Sequence, residues 1–203
     1  MRSYSCYILF LVIYATKIFG DVETPSYDII TKTNIYEIRQ YQKQLWARNT
    51  YHVSPNTDFF QDTAKGFQPL FQYISGLNEK QQKIAMTAPV VTKQNTGGNH
   101  VERHMAFIMS PSIFTSLNQL PQPIDQRVKL IEVDNDQRLA CIRFSGNMYS
   151  DTIAQKEQEL RKAVEQDGVK VEPKKDQIQY FDYNPPWTLA QERRNEICII
   201  VVT

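Results

Sequence analysis

The residues of this 203-residue chain best suited to hold a metal or attack a substrate are its three histidines and three cysteines. His100-Val101-Glu102-Arg103-His104 contains an i, i+4 pair, but not the H-E-x-x-H order of zinc hydrolases. Gly97-Gly98 ahead of it makes a loop leading into a strand, where positions four apart share a face yet stand about 13 Å apart. That is too far for one ion. Cys141 and Cys198 lie in strand-like runs with no neighbour that favours a thiolate. No nucleophile elbow, phosphate loop or dinucleotide fingerprint occurs. His52 and Tyr73 come nearest to proton-transfer groups. The residues therefore assign no catalytic group and no metal ligand, and an enzyme acting on a small apolar molecule is the second alternative reading.

What the chain offers instead is apolar surface. Phe60, Ala64, Phe67, Phe71 and Ile74 recur at spacings of four, three, four and three, one stripe on a helix predicted over about residues 57–75. Phe59 and Leu70 widen it. Such a stripe ordinarily packs on a sheet. Four phenylalanines on one short helix exceed a single sheet-facing seam, however, and Gly66 and Pro69 interrupt it. Any groove for an apolar ligand is expected beside this helix, and a flat apolar ligand there gains roughly 25 cal/mol per Å² of apolar area buried. Association entropy offsets much of that gain, leaving an affinity on the order of micromolar. A protein partner docking a helix or peptide on the same face is the first alternative.

Strands with alternating β-branched and aromatic residues are predicted at 27–33, 35–41, 45–52, 83–92 and 102–110. Leu120-Pro121-Gln122-Pro123 reads as a linker. After it the order repeats, with strands at 128–133, 138–144, about 177–183 and 195–202, and a helix over about 151–167 that Gly168 ends. In that helix Ile153, Leu160, Ala163 and Val164 face inward while Glu157 and its charged neighbours face out. Thr87-Ala88-Pro89 and Tyr183-Asn184-Pro185-Pro186 interrupt the two halves at matching points after their helices. The pattern predicts an α+β fold: a duplicated ββαββ-type unit whose strands close into a curved antiparallel sheet partly covered by two helices.

The charge of +1 and 41% hydrophobic content suit one well-buried domain and give no pull toward nucleic acid. Arg2, the apolar run Cys6–Ala15 and small residues up to Gly20 have the layout of a secretory signal peptide over residues 1–20. The run falls short of the ~20 apolar residues of a membrane span, and no later segment could cross a bilayer. Residues 21–203 are then one secreted domain with two pseudo-symmetric halves. Its two cysteines, Cys141 and Cys198, could pair in an oxidising compartment. They read equally as buried small apolar residues, and the balance leans that way.

Several strings, in order, resemble the SOUL/heme-binding protein family. They are Val22-Glu23-Thr24-Pro25-Ser26-Tyr27, Tyr36-Glu37-Ile38-Arg39-Gln40-Tyr41 with Trp46, Phe71-Gln72-Tyr73-Ile74-Ser75-Gly76-Leu77-Asn78, and Lys83-Ile84-Ala85-Met86-Thr87-Ala88-Pro89-Val90. Leu120-Pro121-Gln122-Pro123, Phe144-Ser145-Gly146, and Tyr183-Asn184-Pro185-Pro186 with Arg193-Arg194-Asn195-Glu196 follow. The resemblance implies a distorted antiparallel β-barrel flanked by two helices. It also implies non-catalytic binding of heme or another tetrapyrrole beside the first helix, by a secreted carrier or scavenger. Phe59, Phe60, Ala64, Phe67, Leu70 and Phe71 would line the groove. Gln40 stands where some members have a histidine proposed as axial ligand, and Thr188 where heme-binding members can carry a lysine facing a propionate. An amide and a hydroxyl replace these poorly. Lys65, Arg193 and Arg194 are the alternative cations for propionates, although surface charge is their ordinary reading.

Overall fold

The computed structural model describes residues 22–97, 100–134 and 138–202, and the leader expected over residues 1–20 lies outside them. Among the described residues the chain runs β1 (Tyr27–Lys32), β2 (Tyr36–Tyr41), β3 (Gln44–Val53), α1 (Thr63–Ile74), β4 (Val90–Gly97) and β5 (His100–Ile108). It continues with β6 (Val128–Val133), β7 (Arg138–Phe144), α2 (Ser150–Gln166), β8 (Gln179–Asp182) and β9 (Asn195–Val201). All nine strands form one antiparallel sheet in the order β1-β2-β7-β9-β8-β4-β5-β3-β6. Exchanging β2 with β6, β3 with β7, β4 with β8 and β5 with β9 reverses that order between β2 and β6. The two ββαββ runs thus interleave across the sheet.

The expected barrel is overturned: the sheet is open, with β1 and β6 as its edges. β1 is exposed along nearly its whole length, and its register against β2 shifts between Ile29 and Thr31. A bulged, solvated edge strand of this kind resists further pairing. The α+β class stands, with two helices on one face of the sheet and a further apolar cluster on the other.

Period-two alternation sorts the strand residues between these faces. Leu45, Ala47, Tyr51 and Val53 of β3 and Val101, Met105 and Phe107 of β5 pack with Leu70, Tyr73 and Ile74 of α1. Ala140, Ile142 and Phe144 of β7 and Ile197 and Ile199 of β9 meet Ile153, Leu160, Ala163 and Val164 of α2. The intervening residues Trp46, Val91, Ala106, Ile108, Cys141, Phe181 and Cys198 form a third core on the opposite face. Glu157, expected outside α2, is buried and accepts a 2.9 Å hydrogen bond from Arg161 Nε.

Cys141 and Cys198 face each other in the β7–β9 ladder and are joined by a disulfide. The apolar-thiol reading is thereby corrected. Only the register decides this, because it sets two cysteines directly opposite with Cα atoms 4.1 Å apart. On the same face Arg39 of β2 reaches across β7 to Glu196 of β9, with Nη1 2.5 Å from Oε2. Arg194 Nε and Nη2 hold Oε1 at 2.9 and 2.8 Å.

Three connections differ from their expected form. The strand expected over 83–92 begins only at Val90, because the N–H of Ile84 goes to Ile74 O and that of Ala88 to Glu23 O. The Ala88–Pro89 bond is cis. The proline-rich stretch 120–123 is no free linker: Leu120 is buried, Pro121 O accepts from Tyr73 Oη, and Gln122 O accepts from Glu79 N. The two proline interruptions are not equivalent, since Pro89 precedes β4 whereas Pro185-Pro186 follow its counterpart β8.

Gly66 and Pro69, which interrupt the phenylalanine stripe, are how α1 docks. Pro69 has no N–H for Lys65 O. The buried Asn49 Nδ2 supplies one at 3.0 Å and also donates to Gly66 O at 3.1 Å. A Cβ on Gly66 would stand 2.5 Å from Tyr51 Cε1 and 3.1 Å from Met105 Cβ. Gly66→Ala is therefore expected to destabilise the fold by about 1–3 kcal/mol through overpacking, despite alanine's better helix propensity, as measured by urea unfolding.

Candidate functional site

With Gly66, Pro69, Leu70, Tyr73 and Ile74 turned to the sheet, the other side of α1 carries the surplus aromatics. Phe67 and Phe71 stack with centroids 5.7 Å apart and planes 18° apart. Phe67 also meets Phe107 of β5 edge-on at 5.1 Å, so its ring is anchored from below. Phe71 remains 42% exposed. Ala64, one turn back, is exposed and too small to obstruct the face.

The helix expected from about residue 57 starts at Thr63. Residues 57–61 instead form a turn gripped by one buried guanidinium. Arg103 Nη1 donates to Phe59 O and Gln61 O at 3.1 and 3.0 Å, and Nη2 to Thr57 O and Asp58 O, both at 3.2 Å. Asp58 O also accepts from Gln61 N at 3.0 Å, and Asp62, at φ 61°, turns the chain left-handed just before Thr63, so the helix begins only after it. Asp58 ties the turn to the start of α2, accepting from Phe60 N and Ser150 N at 3.0 Å each. Burial alone would raise this carboxyl, but those N–H groups outweigh it and hold it below the usual carboxylate range.

The turn divides the two phenylalanines. Phe59 is core, 4.7 Å from Tyr180 and under the Arg103 guanidinium. Phe60 is half-buried and faces Tyr149, the residue preceding α2, at 6.3 Å. The Arg193 guanidinium lies 5.8 Å from the Phe60 centroid, with Nε donating to Thr188 O at 3.0 Å and Nη2 to Pro186 O. This 185–193 loop leaves Trp187 59% and Leu189 57% exposed. The structure therefore makes two aromatic groupings, Phe67 with Phe71 and Phe60 with Tyr149 and Arg193. Tyr149 and Arg103 were not legible as site residues; the one signal for Tyr149 was an aromatic just ahead of a helix start.

The remaining predicted residues are dispersed. Leu70 is fully buried behind the face. Lys65 is exposed and pairs with Asp62 at 2.8 Å. Arg194, adjacent to Arg193 but on the opposite side of the chain, is committed to Glu196 and lies 3.8 Å from the Tyr183 ring centroid. Gln40 opposes Arg138 at the β2–β7 end of the sheet, whereas α1 lies on β3, β5 and β6. His52, His100 and His104 fall on alternate positions of β3 and β5 from the residues that meet α1. The His100/His104 pair is no chelate, since His104 Nε2 lies 3.0 Å from Glu102 and the His100 ring packs on His52. Among the described residues Cys141, Glu196 and Cys198 are close enough to share an ion. Their sulfurs are bonded to each other and the carboxylate is held by two arginines.

No described helix is long and apolar enough to cross a membrane. The chain is 30% identical over 191 residues to heme-binding protein 2 of Homo sapiens, covering 88% of this chain and 86% of that one. It is 31% identical over 106 residues to heme-binding protein 2 of Mus musculus, about half of each chain. Among solved structures, a hydrolase from Listeria innocua superposes with a TM-score of 0.59 over 94% of this chain and 98% of that one, at 9% identity, a likeness of fold alone. The family described as SOUL heme-binding protein matches residues 22–200, nearly the whole described chain, and the protein belongs to that family.

Proposed function

We propose that the chain holds heme or another tetrapyrrole against the outward face of α1, with Phe67 and Phe71 under the ring and Phe60, Tyr149 and Arg193 at one end. Family membership makes the ligand class heme or porphyrin and the role binding rather than catalysis. The observation that carries the location is the Phe67–Phe71 stack, two large rings held parallel on a helix whose other side already fills the core. An aromatic plane left open this way suits offset stacking on a flat ligand. Arg193 is the cation best placed for a propionate, while Lys65 is a weaker candidate and Arg194 is spent on Glu196. The role of a secreted carrier or scavenger is supported by the leader-like residues 1–20 and by the Cys141–Cys198 bond, which suits an oxidising compartment.

With all three histidines on the opposite face, ring burial rather than iron ligation sets the affinity. Hemin and metal-free protoporphyrin are expected to bind residues 21–203 with affinities within about threefold of each other, on the order of micromolar. Soret shifts and fluorescence quenching read this directly. Phe67→Ala should weaken both about tenfold. A protein lacking any spectral response to either ligand would refute the site. Unchanged porphyrin binding by Phe67→Ala, with loss of a captured protein partner, would instead favour a protein-interaction face.

A further inference from the structure

We propose that the sheet face opposite the helices carries a second site, for a small oxyanion, built by Arg48 and Lys93 beside His104. The register assembles it. Lys93 of β4 and Thr50 of β3 both stand opposite His104 of β5, and Arg48 lies two residues from Thr50 on the same face. Neither Arg48 nor Lys93 belongs to an ion pair among the described residues. Arg48 Nε is buried with no hydrogen-bond partner, an unmet donor that costs stability unless something accepts from it.

The surrounding charges define what fits. His104 is already satisfied, with Nδ1 2.8 Å from Thr50 Oγ1 and Nε2 3.0 Å from Glu102 Oε1. Burial, followed by Arg48 and Lys93, keeps its imidazole below the ordinary histidine range against the pull of Glu102. Burial and then Arg48 likewise depress the Lys93 ammonium, and Asp176 of the short turn Lys175–Gln177 opposes them. Arg48 and Lys93 share the place with two carboxylates, Glu102 against His104 and Asp176 beside Lys93, and Asp176 Oδ1 is itself unpartnered. A phosphate or carboxylate would accept charge-assisted hydrogen bonds from the guanidinium fork, whose Nε is unmet, and from the ammonium. Thr50 is exposed and His104 half-buried, so the place is open to solvent. It is independent of the porphyrin reading, because α1 lies on the other side of the sheet.

The test is a titration of the chain with inorganic phosphate, and separately acetate, against chloride at matched ionic strength, followed by the ring resonances of His104. The expected result is a saturable shift with a dissociation constant on the order of millimolar, unchanged by bound protoporphyrin. Saturation by phosphate alone narrows the ligand to phosphate groups, and saturation by both assigns oxyanions generally. Lys93→Met should weaken binding about tenfold or more, Arg48→Met should do the same, and Asp176→Asn should tighten it. A shift that tracks ionic strength identically in chloride, or that survives Lys93→Met unchanged, overturns the proposal. Circular dichroism of each variant separates lost binding from lost folding.

Discussion

Glu196→Ala is expected to destabilise the protein by about 3 kcal/mol, because it takes from a buried arginine its fully buried counter-charge and leaves only the partly exposed Glu37. Glu196 is fully buried and Arg39 nearly so. Arg39 also meets Glu37 at 2.8 Å and Tyr41 Oη at 3.3 Å and lies over the Tyr27 ring, but Glu196 is its closest acidic partner. Burial alone would lower the guanidinium pKa, and Glu196 outweighs it and drives the pKa upward. Urea unfolding at neutral pH measures the loss. The double variant Arg39→Met with Glu196→Leu should recover at least half of it, since removing both charges removes the desolvation penalty with the attraction. Arg194 can then turn toward solvent, being partly exposed already. A single-variant cost below about 1 kcal/mol would show that the pair is dispensable. Arg39 and Glu196 join β2 to β9 across the intervening β7, so their geometric demand bears on the alignment of these strands as well as on stability.

That pair also marks where reading the sequence stopped. Strand alternation and the stripes of α1 and α2 are local patterns, and they foretold the α+β class, the order of strands along the chain and the apolar inward residues of α2, but not the buried Glu157 or the Gly66, Pro69 and Tyr73 side by which α1 docks. Charge pairing between residues 157 positions apart has no local signature, and neither does the Cys141–Cys198 bond, which required the β7–β9 register. Closure into a barrel failed for the same reason: it depends on whether β1 and β6 meet, and the bulge in β1 becomes visible only against its partner. Within the candidate site, Phe67 and Phe71 were legible because the helical period places them together. Phe59 lines the face only on a helix that starts at residue 57, whereas residues 57–61 form a turn held by a guanidinium from a strand 44 residues further on. Arg193 and Arg194 look equivalent as a dipeptide, yet they serve opposite sides of the sheet.

Arg103→Met should both destabilise the fold and weaken tetrapyrrole binding, because one buried side chain builds the turn that presents Phe60. Four carbonyls, of Thr57, Asp58, Phe59 and Gln61, lose their donor together. Partial solvent access softens the penalty, so the expected cost is about 3 kcal/mol rather than the sum for four orphaned acceptors. Arg103→Lys should rescue little of it, since an ammonium is a point donor and cannot span the fork that a planar guanidinium covers. Binding is read separately from stability. At a temperature where the variant is folded by circular dichroism, protoporphyrin affinity should fall roughly tenfold as Phe60 loses its fixed place beside Tyr149 and Arg193. Should Arg103→Met not fold, Asp58→Ala makes the same test by freeing Phe60 N and Ser150 N while sparing the guanidinium. Stability lost with affinity intact would assign the turn a purely structural role and confine the ring to Phe67 and Phe71. Affinity lost in both variants would make Arg103 a positioning residue, acting on the ligand through the phenylalanine it aims.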